Sequence, residues 1–205
     1  PQARATGHAL GTMHRALTDF PLDRPNALGP EGWLQLADRC GADLDRIAPG
    51  FRNRIADELA IIARDWPTDL PRSVIHADLF PDNVLMHGDA VTGIIDFYFA
   101  CTELRAWDLA VTHAAWCFEN DGTGFDAVRA AALVAGYEEA MPLSDAEYDT
   151  FPLLARGAAL RFTLTRAWDW LNTPPDALVT RKDPLAFLRR LEFYASAESS
   201  VLLGR

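Results

Sequence analysis

Apolar residues change their spacing twice along this chain, and that change limits the folds open to it. Phe51, Ile55, Leu59, Ile62 and Trp66 follow one another at steps of four, four, three and four, and Pro67 ends the series. That is the pattern of an amphipathic helix. Between Pro71 and Ala100 the helical spacing disappears. Ser73-Val-Ile-His76 and Asn83-Val-Leu-Met86 are short apolar, β-branched runs, His87-Gly88-Asp89 makes a turn, and Val91 to Ile95 reads as another strand. After Arg105 the helical period returns, approximately over Trp107–Phe118, Phe125–Ala140 and Tyr148–Trp170. A Pro174-Pro175 break then precedes a last helix over Pro184–Leu203. At the other end a helix is expected from Gln2 to Leu17, with Ala9, Met13 and Leu17 on one face. Pro21, Pro25, Gly29 and Pro30 punctuate a loop before a short helix over Glu31–Cys40. The expected class is α+β and mostly helical: a helical body with one small β element carrying a loop.

Such a body needs apolar material, and the chain has enough for one core. Of 205 residues, 49% are apolar and 23% charged, the balance of a globular chain rather than a disordered one. No internal repeat, low-complexity tract or linker divides it, so residues 1–205 are read as one unit. A formal net charge of −10 argues against a nucleic-acid partner held by general electrostatics. No apolar run approaches the roughly 20 residues that span a bilayer, and no signal-peptide pattern opens the chain, so a cytoplasmic protein without a membrane partner is expected. Cys40, Cys101 and Cys117 suit neither a disulfide framework nor a zinc knuckle and are read as buried, reduced thiols. Lys182 is the chain's sole lysine; every other basic residue is arginine.

The chemistry is concentrated in His76-Ala-Asp78-Leu-Phe-Pro-Asp-Asn83 and Ile94-Ile-Asp96-Phe97-Tyr98. The first run has the spacing H-x-D-x-x-x-x-N of a phosphoryl-transfer loop, and the second sets Asp-Phe just after a strand. Phosphoryl transfer needs a carboxylate that takes the acceptor's hydroxyl proton, and Asp78 fits. It also needs hard oxygen ligands for Mg²⁺, which Asn83 and Asp96 offer as a carbonyl and a carboxylate. The plainer alternatives are a turn in which Asn83 caps its own backbone and a polar strand terminus at Asp96. His76 suits a hydrogen bond that holds the loop better than acid–base work.

These words resemble the aminoglycoside phosphotransferase/choline kinase-like superfamily, whose fold is protein-kinase-like. Within it, Thr92-Gly-Ile-Ile-Asp-Phe-Tyr-Phe-Ala-Cys101, Trp107-Asp-Leu-Ala110, Ala177-Leu-Val-Thr-Arg-Lys-Asp-Pro184, Arg24-Pro-Asn26 and Arg161-Phe-Thr-Leu-Thr-Arg166 are most similar to the homoserine kinases of threonine biosynthesis. The resemblance covers the chain from about Thr6 onward. It implies that Asp78 is the catalytic base, that Asn83 and Asp96 bind Mg²⁺, and that Asp108 supports the catalytic loop from behind, with His76. ATP and homoserine are then the expected partners. The family also has an N-terminal lobe with a glycine-containing loop and a lysine over the phosphates. Gly122-Thr-Gly124 is too short and too late for that loop and is read as a turn. The chain is therefore expected to be the C-terminal lobe alone, with the nucleotide-binding lobe outside it and little activity in isolation.

On the acceptor side, homoserine presents an ammonium and a carboxylate, and arginine's planar fork suits the latter. Arg161 and Arg166 are the candidates, with Tyr98 and Glu103 expected to line the same pocket; solvated helix-face arginines are the plainer alternative. The tryptophans Trp107, Trp116, Trp168 and Trp170 are read as core rather than as an aromatic cage. Three other readings compete. One is an aminoglycoside or choline-type acceptor; another is a non-catalytic, pseudokinase-like binding module. The third, a metal-dependent hydrolase using His76, Asp78, His87 and Asp96, lacks recognised hydrolase spacing.

Overall fold

The computed structural model describes residues 1–174, 177, 178 and 180–204. Pro175 of the expected proline break and Val179 of the Ala177–Pro184 run lie outside the described residues. Helices α1 (Gln2–Ala16), α2 (Pro30–Cys40), α3 (Leu44–Ile47) and α4 (Phe51–Asp65) precede the strands. The strands are β1 (Arg72–Ile75), β2 (Val84–His87), β3 (Ala90–Ile94) and β4 (Cys101–Leu104). Helices α5 (Arg105–Trp116), α6 (Ala127–Ala140), α7 (Asp145–Asn172), α8 (Leu185–Ser196) and α9 (Ser199–Leu203) complete the chain. The α+β, mostly helical class is therefore the one observed.

Helix α5 runs through the middle, buried along almost its whole length from Arg105 to Trp116. The 28-residue α7 packs across it and against α8. Sequence periodicity starts α7 at Tyr148, but it begins three residues earlier. Ser144 supplies the reason: its Oγ accepts from the Glu147 amide, and the Glu147 carboxylate accepts from the Ser144 amide at 2.8 Å. This capping box satisfies donors that a helix start leaves open. The same Glu147 carboxylate takes both arms of Arg105, each at 2.7 Å, which ties the start of α7 to the start of α5. Burial alone would raise the Glu147 pKa; the guanidinium and the Ser144 bonds overcome it and hold the group below the usual range.

Helices α1 and α6 lie against each other at glycine. A Cβ built on Gly7 would stand 1.9 Å from the Leu133 carbonyl oxygen, and one on Gly136 would stand 2.0 Å from that of Arg4. Both obstacles are backbone, which cannot swing aside. Gly7→Ala or Gly136→Ala is expected to force the helices apart and cost about 1–3 kcal/mol, as overpacking does. Urea unfolding of each variant measures this, and a stability equal to wild type would contradict the packing argument.

The β element differs from expectation. A single small hairpin was expected to carry the loop, whereas the structure has two antiparallel pairs. Strands β2 and β3 form the hairpin around Gly88, which adopts φ 60°. Strand β1 pairs with β4, Ser73 opposite Glu103 and Ile75 opposite Cys101. The loop His76–Asn83 therefore joins the two pairs instead of belonging to one. The expected last helix is also broken: Ala197 is extended and separates α8 from α9. Gly122 and Gly124 sit in the turn between Phe118 and Phe125, as expected. Cys40, Cys101 and Cys117 are free and buried, and Trp107 and Trp116 are core. Trp170 is partly exposed. No helix among the described residues is long and apolar enough to cross a membrane.

Candidate active site

The loop after β1 makes an unfavourable turn that its surroundings enforce. Ala77 has φ 64°, a left-handed conformation costing a non-glycine residue about 1–3 kcal/mol. Asp108, wholly buried on α5, accepts from the His76 amide through Oδ2 and from the Ala77 amide through Oδ1, both at 2.7 Å. Asp108 is in turn held by His14 of α1, whose Nε2 lies 3.0 Å from Oδ2 while Nδ1 lies 2.9 Å from the Tyr137 hydroxyl of α6. Burial pushes the Asp108 pKa up, but His14 and the loop amides outweigh that and leave it lowered. From the other side Arg161 of α7 donates through Nη1 to the Ala77 carbonyl. Side chains of α5 and α7 thus clamp the backbone at His76 and Ala77, with α1 and α6 behind Asp108.

His76 couples the loop to the second run of the motif. Its Nε2 donates to the Ile95 carbonyl at 2.9 Å, and its Nδ1 accepts from the Asp78 amide at 3.2 Å. Both ring nitrogens are occupied in bonds within this region. Asp96, the next residue after Ile95, is the other non-glycine residue at φ 64°. Asn83 donates from Nδ2 to the Asp78 carbonyl at 2.8 Å. A carbonyl can only accept, so the amide nitrogen faces it and Oδ1 points away, without a hydrogen-bond partner among the described residues.

Asp78, Asn83 and Asp96 line one cleft of about 780 Å³, whose other wall is α7 and the chain leading into α8. Burial raises the Asp78 pKa; Arg161 and His76 pull it back, Asp96 pushes it further, and Lys182 lowers it. A carboxylate raised in this way is a better proton acceptor than an ordinary one. Arg161 and Arg166 reach the same cleft from α7. Arg161 is 1% exposed, with Phe99, Trp107 and Phe162 around its guanidinium. Arg166 stacks on Phe187 at 4.4 Å, and burial followed by the charge of Arg190 brings its pKa down to about 10.

Tyr98 and Glu103 are corrections. Tyr98 is 72% exposed and stands outside the cleft lining. Glu103 points into the β1–β4 region, where it accepts from Arg72 at 3.2 Å and from Asn26 at 3.3 Å. Nearness to Asp96 along the chain misplaced both: strand β4 carries Glu103 away, and Tyr98 lies exposed in the short turn Phe97–Phe99 before it. Thr165, Asp169 and Asn172 line the cleft without having been assigned to it. Their signal was available: with Arg161 and Arg166 they repeat at three- and four-residue steps on one helix face. A second hollow, about 420 Å³ between α2 and α4, is mainly apolar and contains none of the loop residues.

Residues 2–143, more than half of the chain, match the phosphotransferase enzyme family. The chain belongs to that family. Among curated relatives of this phosphotransferase, the homoserine kinase of Zymomonas mobilis is 55% identical over 197 residues, covering 96% of this chain and 61% of the relative. That of Gluconacetobacter diazotrophicus is 54% identical over 200 residues, covering 97% and 62%. The phosphotransferase chain thus spans about three fifths of the length of the curated relatives it matches. Among solved structures, the amicoumacin kinase hAmiN aligns with a TM-score of 0.65 at 16% identity, over 97% of this chain and 60% of that one. A choline/ethanolamine kinase family protein from Mesorhizobium loti aligns at 0.61 and 20% identity, over 98% and 65%. These two share its fold.

Proposed function

We propose that this chain is the catalytic and acceptor-binding lobe of an ATP-dependent kinase that phosphorylates the side-chain hydroxyl of homoserine. The observation that carries the reading is the convergence of Asp78, Asn83 and Asp96 on one cleft that also receives Arg166. The identity of 50–55% to homoserine kinases over nearly the whole chain supports the choice of acceptor. Asp78 accepts the hydroxyl proton and aims the oxygen. The unpartnered Oδ1 of Asn83 and the Asp96 carboxylate, which has no hydrogen-bond partner among the described residues, fit a hard divalent cation. Mg²⁺ suits so small a protein donor set because it keeps waters and phosphate oxygens as its other ligands. When bound, it neutralises charge on the nucleotide phosphates. Asp108, His14 and Arg161 position Asp78 and do not touch substrate. A cytoplasmic location suits three free thiols, which that compartment keeps reduced.

Of the two arginines, Arg166 is the better reader of the acceptor's carboxylate. Arg161 has spent its accessible arm on the Ala77 carbonyl, whereas Arg166 is a half-buried cation with no acidic side chain bonded to it. A desolvated cation gains by meeting an anion. Arg166→Ala is expected to raise the homoserine KM strongly, corresponding to about 2–5 kcal/mol for a buried charge pair, with little change in the KM for ATP. The deciding experiment is an acceptor panel on the full-length protein: homoserine, amino alcohols without a carboxylate, choline and an aminoglycoside. A better acceptor than homoserine would overturn the substrate and leave the kinase standing.

A further inference from the structure

Between α7 and α8, the chain brings Thr180, Arg181 and Lys182 to the cleft. Both neighbours of Lys182 are tied down. Arg181 donates to the Trp170 carbonyl at 3.3 Å, and its guanidinium lies 5.0 Å from the Trp170 ring centroid. The Asp183 carbonyl accepts from Arg166 at 3.3 Å, and its carboxylate accepts from the Leu185 amide at the start of α8 at 2.9 Å. The backbone at Lys182 is therefore held from both sides. Its ammonium, by contrast, has no hydrogen bond or ion pair among the described residues.

That ammonium lies 5.9 Å from the centroid of the Phe80 ring, and Phe80 is two residues after Asp78 in the clamped loop. Lys182 and Phe80 line the same cleft as Asp78 and Asp96. Of the other cations there, Arg161 is committed to the loop and Arg181 to Trp170, while Arg166 stacks on Phe187 and is assigned above to the acceptor's carboxylate. Lysine also differs from them in kind. It is a mobile point charge on a flexible stem, suited to oxygens whose charge is spread and changing, where arginine's fork suits a fixed planar carboxylate.

We propose that Lys182 is a catalytic residue whose ammonium meets the oxygens of the phosphoryl group in transit. This rests on the phosphotransfer reading above. The acceptor hydroxyl oxygen forms the new bond to the terminal phosphorus of the nucleoside triphosphate and gives its proton to Asp78. The bond from that phosphorus to the bridging oxygen breaks, and the departing diphosphate keeps the electron pair. Lys182 exchanges no proton; it supplies positive charge where negative charge is being redistributed, which is the main work of this reaction class.

The test is steady-state kinetics of Lys182→Met and Lys182→Arg in the full-length protein, with binding of ADP plus aluminium fluoride as a mimic of the phosphoryl group in transit. Lys182→Met is expected to lower kcat by about 10²–10³-fold, as loss of one charge-stabilising donor does. Its homoserine KM should stay within about threefold of wild type, and Lys182→Arg should recover part of kcat. Affinity for the aluminium fluoride complex should fall while affinity for ADP alone holds; their ratio within one sample is independent of any loss of folded protein. A kcat within about threefold of wild type, or a raised homoserine KM at unchanged kcat, would overturn the assignment. If wild type prefers another acceptor, the same ratios measured with that acceptor decide Lys182. If wild type phosphorylates nothing in the panel, the phosphotransfer reading falls and Lys182 with it.

Discussion

Replacing Asp78 with Asn in the full-length protein is expected to cut kcat by about 10²–10⁴-fold, the range for loss of a general base. The substitution keeps the side chain's shape. No hydrogen bond to the Asp78 carboxylate is broken by it among the described residues, and the loop is held by backbone bonds to Asp108 and Arg161 instead. Nucleotide affinity should change far less. Asp96→Asn should behave differently: it removes a charged ligand, so half-maximal activity should require more Mg²⁺. Mg²⁺ titrations of the two variants separate the roles. If Asp78→Asn shifted the Mg²⁺ requirement and Asp96→Asn only slowed turnover, the two assignments would have to be exchanged.

Asp108→Ala is expected to be the most damaging single change to stability, by about 3–5 kcal/mol, as when one partner of a buried charged network is removed. It strands the amides of His76 and Ala77 and leaves His14 facing a void, all in wholly buried surroundings. The pH dependence has a definite sign. The Asp108 pKa is lowered in the folded state, so its stabilisation is complete above the unfolded-state value for aspartate. It is lost as pH falls through the depressed folded value. Urea unfolding across the acid range should therefore show wild-type stability falling with pH more steeply than that of the variant. A loss under about 1 kcal/mol for Asp108→Ala would mean that the loop does not depend on this anchor.

Much of the loop side of the cleft was legible because it is local in the chain. His76, Asp78, Asn83 and Asp96 fall within a single turn-rich stretch, and their spacing is the distance a loop and a hairpin need to bring them together. The helices were legible for a similar reason: α4 and α6 follow the period of their own apolar residues, and a helix makes its backbone bonds within itself. Strand β4 was not legible. Four residues, Cys101–Leu104, carry too little pattern of their own, and they are a strand only because Arg72–Ile75 lies alongside. The same non-local pairing turned Glu103 toward Arg72 rather than toward the cleft.

The cleft wall formed by α7 and the chain after it shows the division most clearly. The one-dimensional order of residues sufficed to mark Arg161 and Arg166 as candidates and Lys182 as the sole lysine. It could not say that Arg161 is spent on the Ala77 carbonyl, 84 positions away, or that Lys182 stands near the far earlier Phe80. Hydrogen bonds and charges act over a few ångströms of space. Where chain neighbours are also spatial neighbours, as within the helices, the sequence by itself determines the arrangement. Where α5, α7 and the segment before α8 meet, only the packing of one core decides which charges are used up and which remain free.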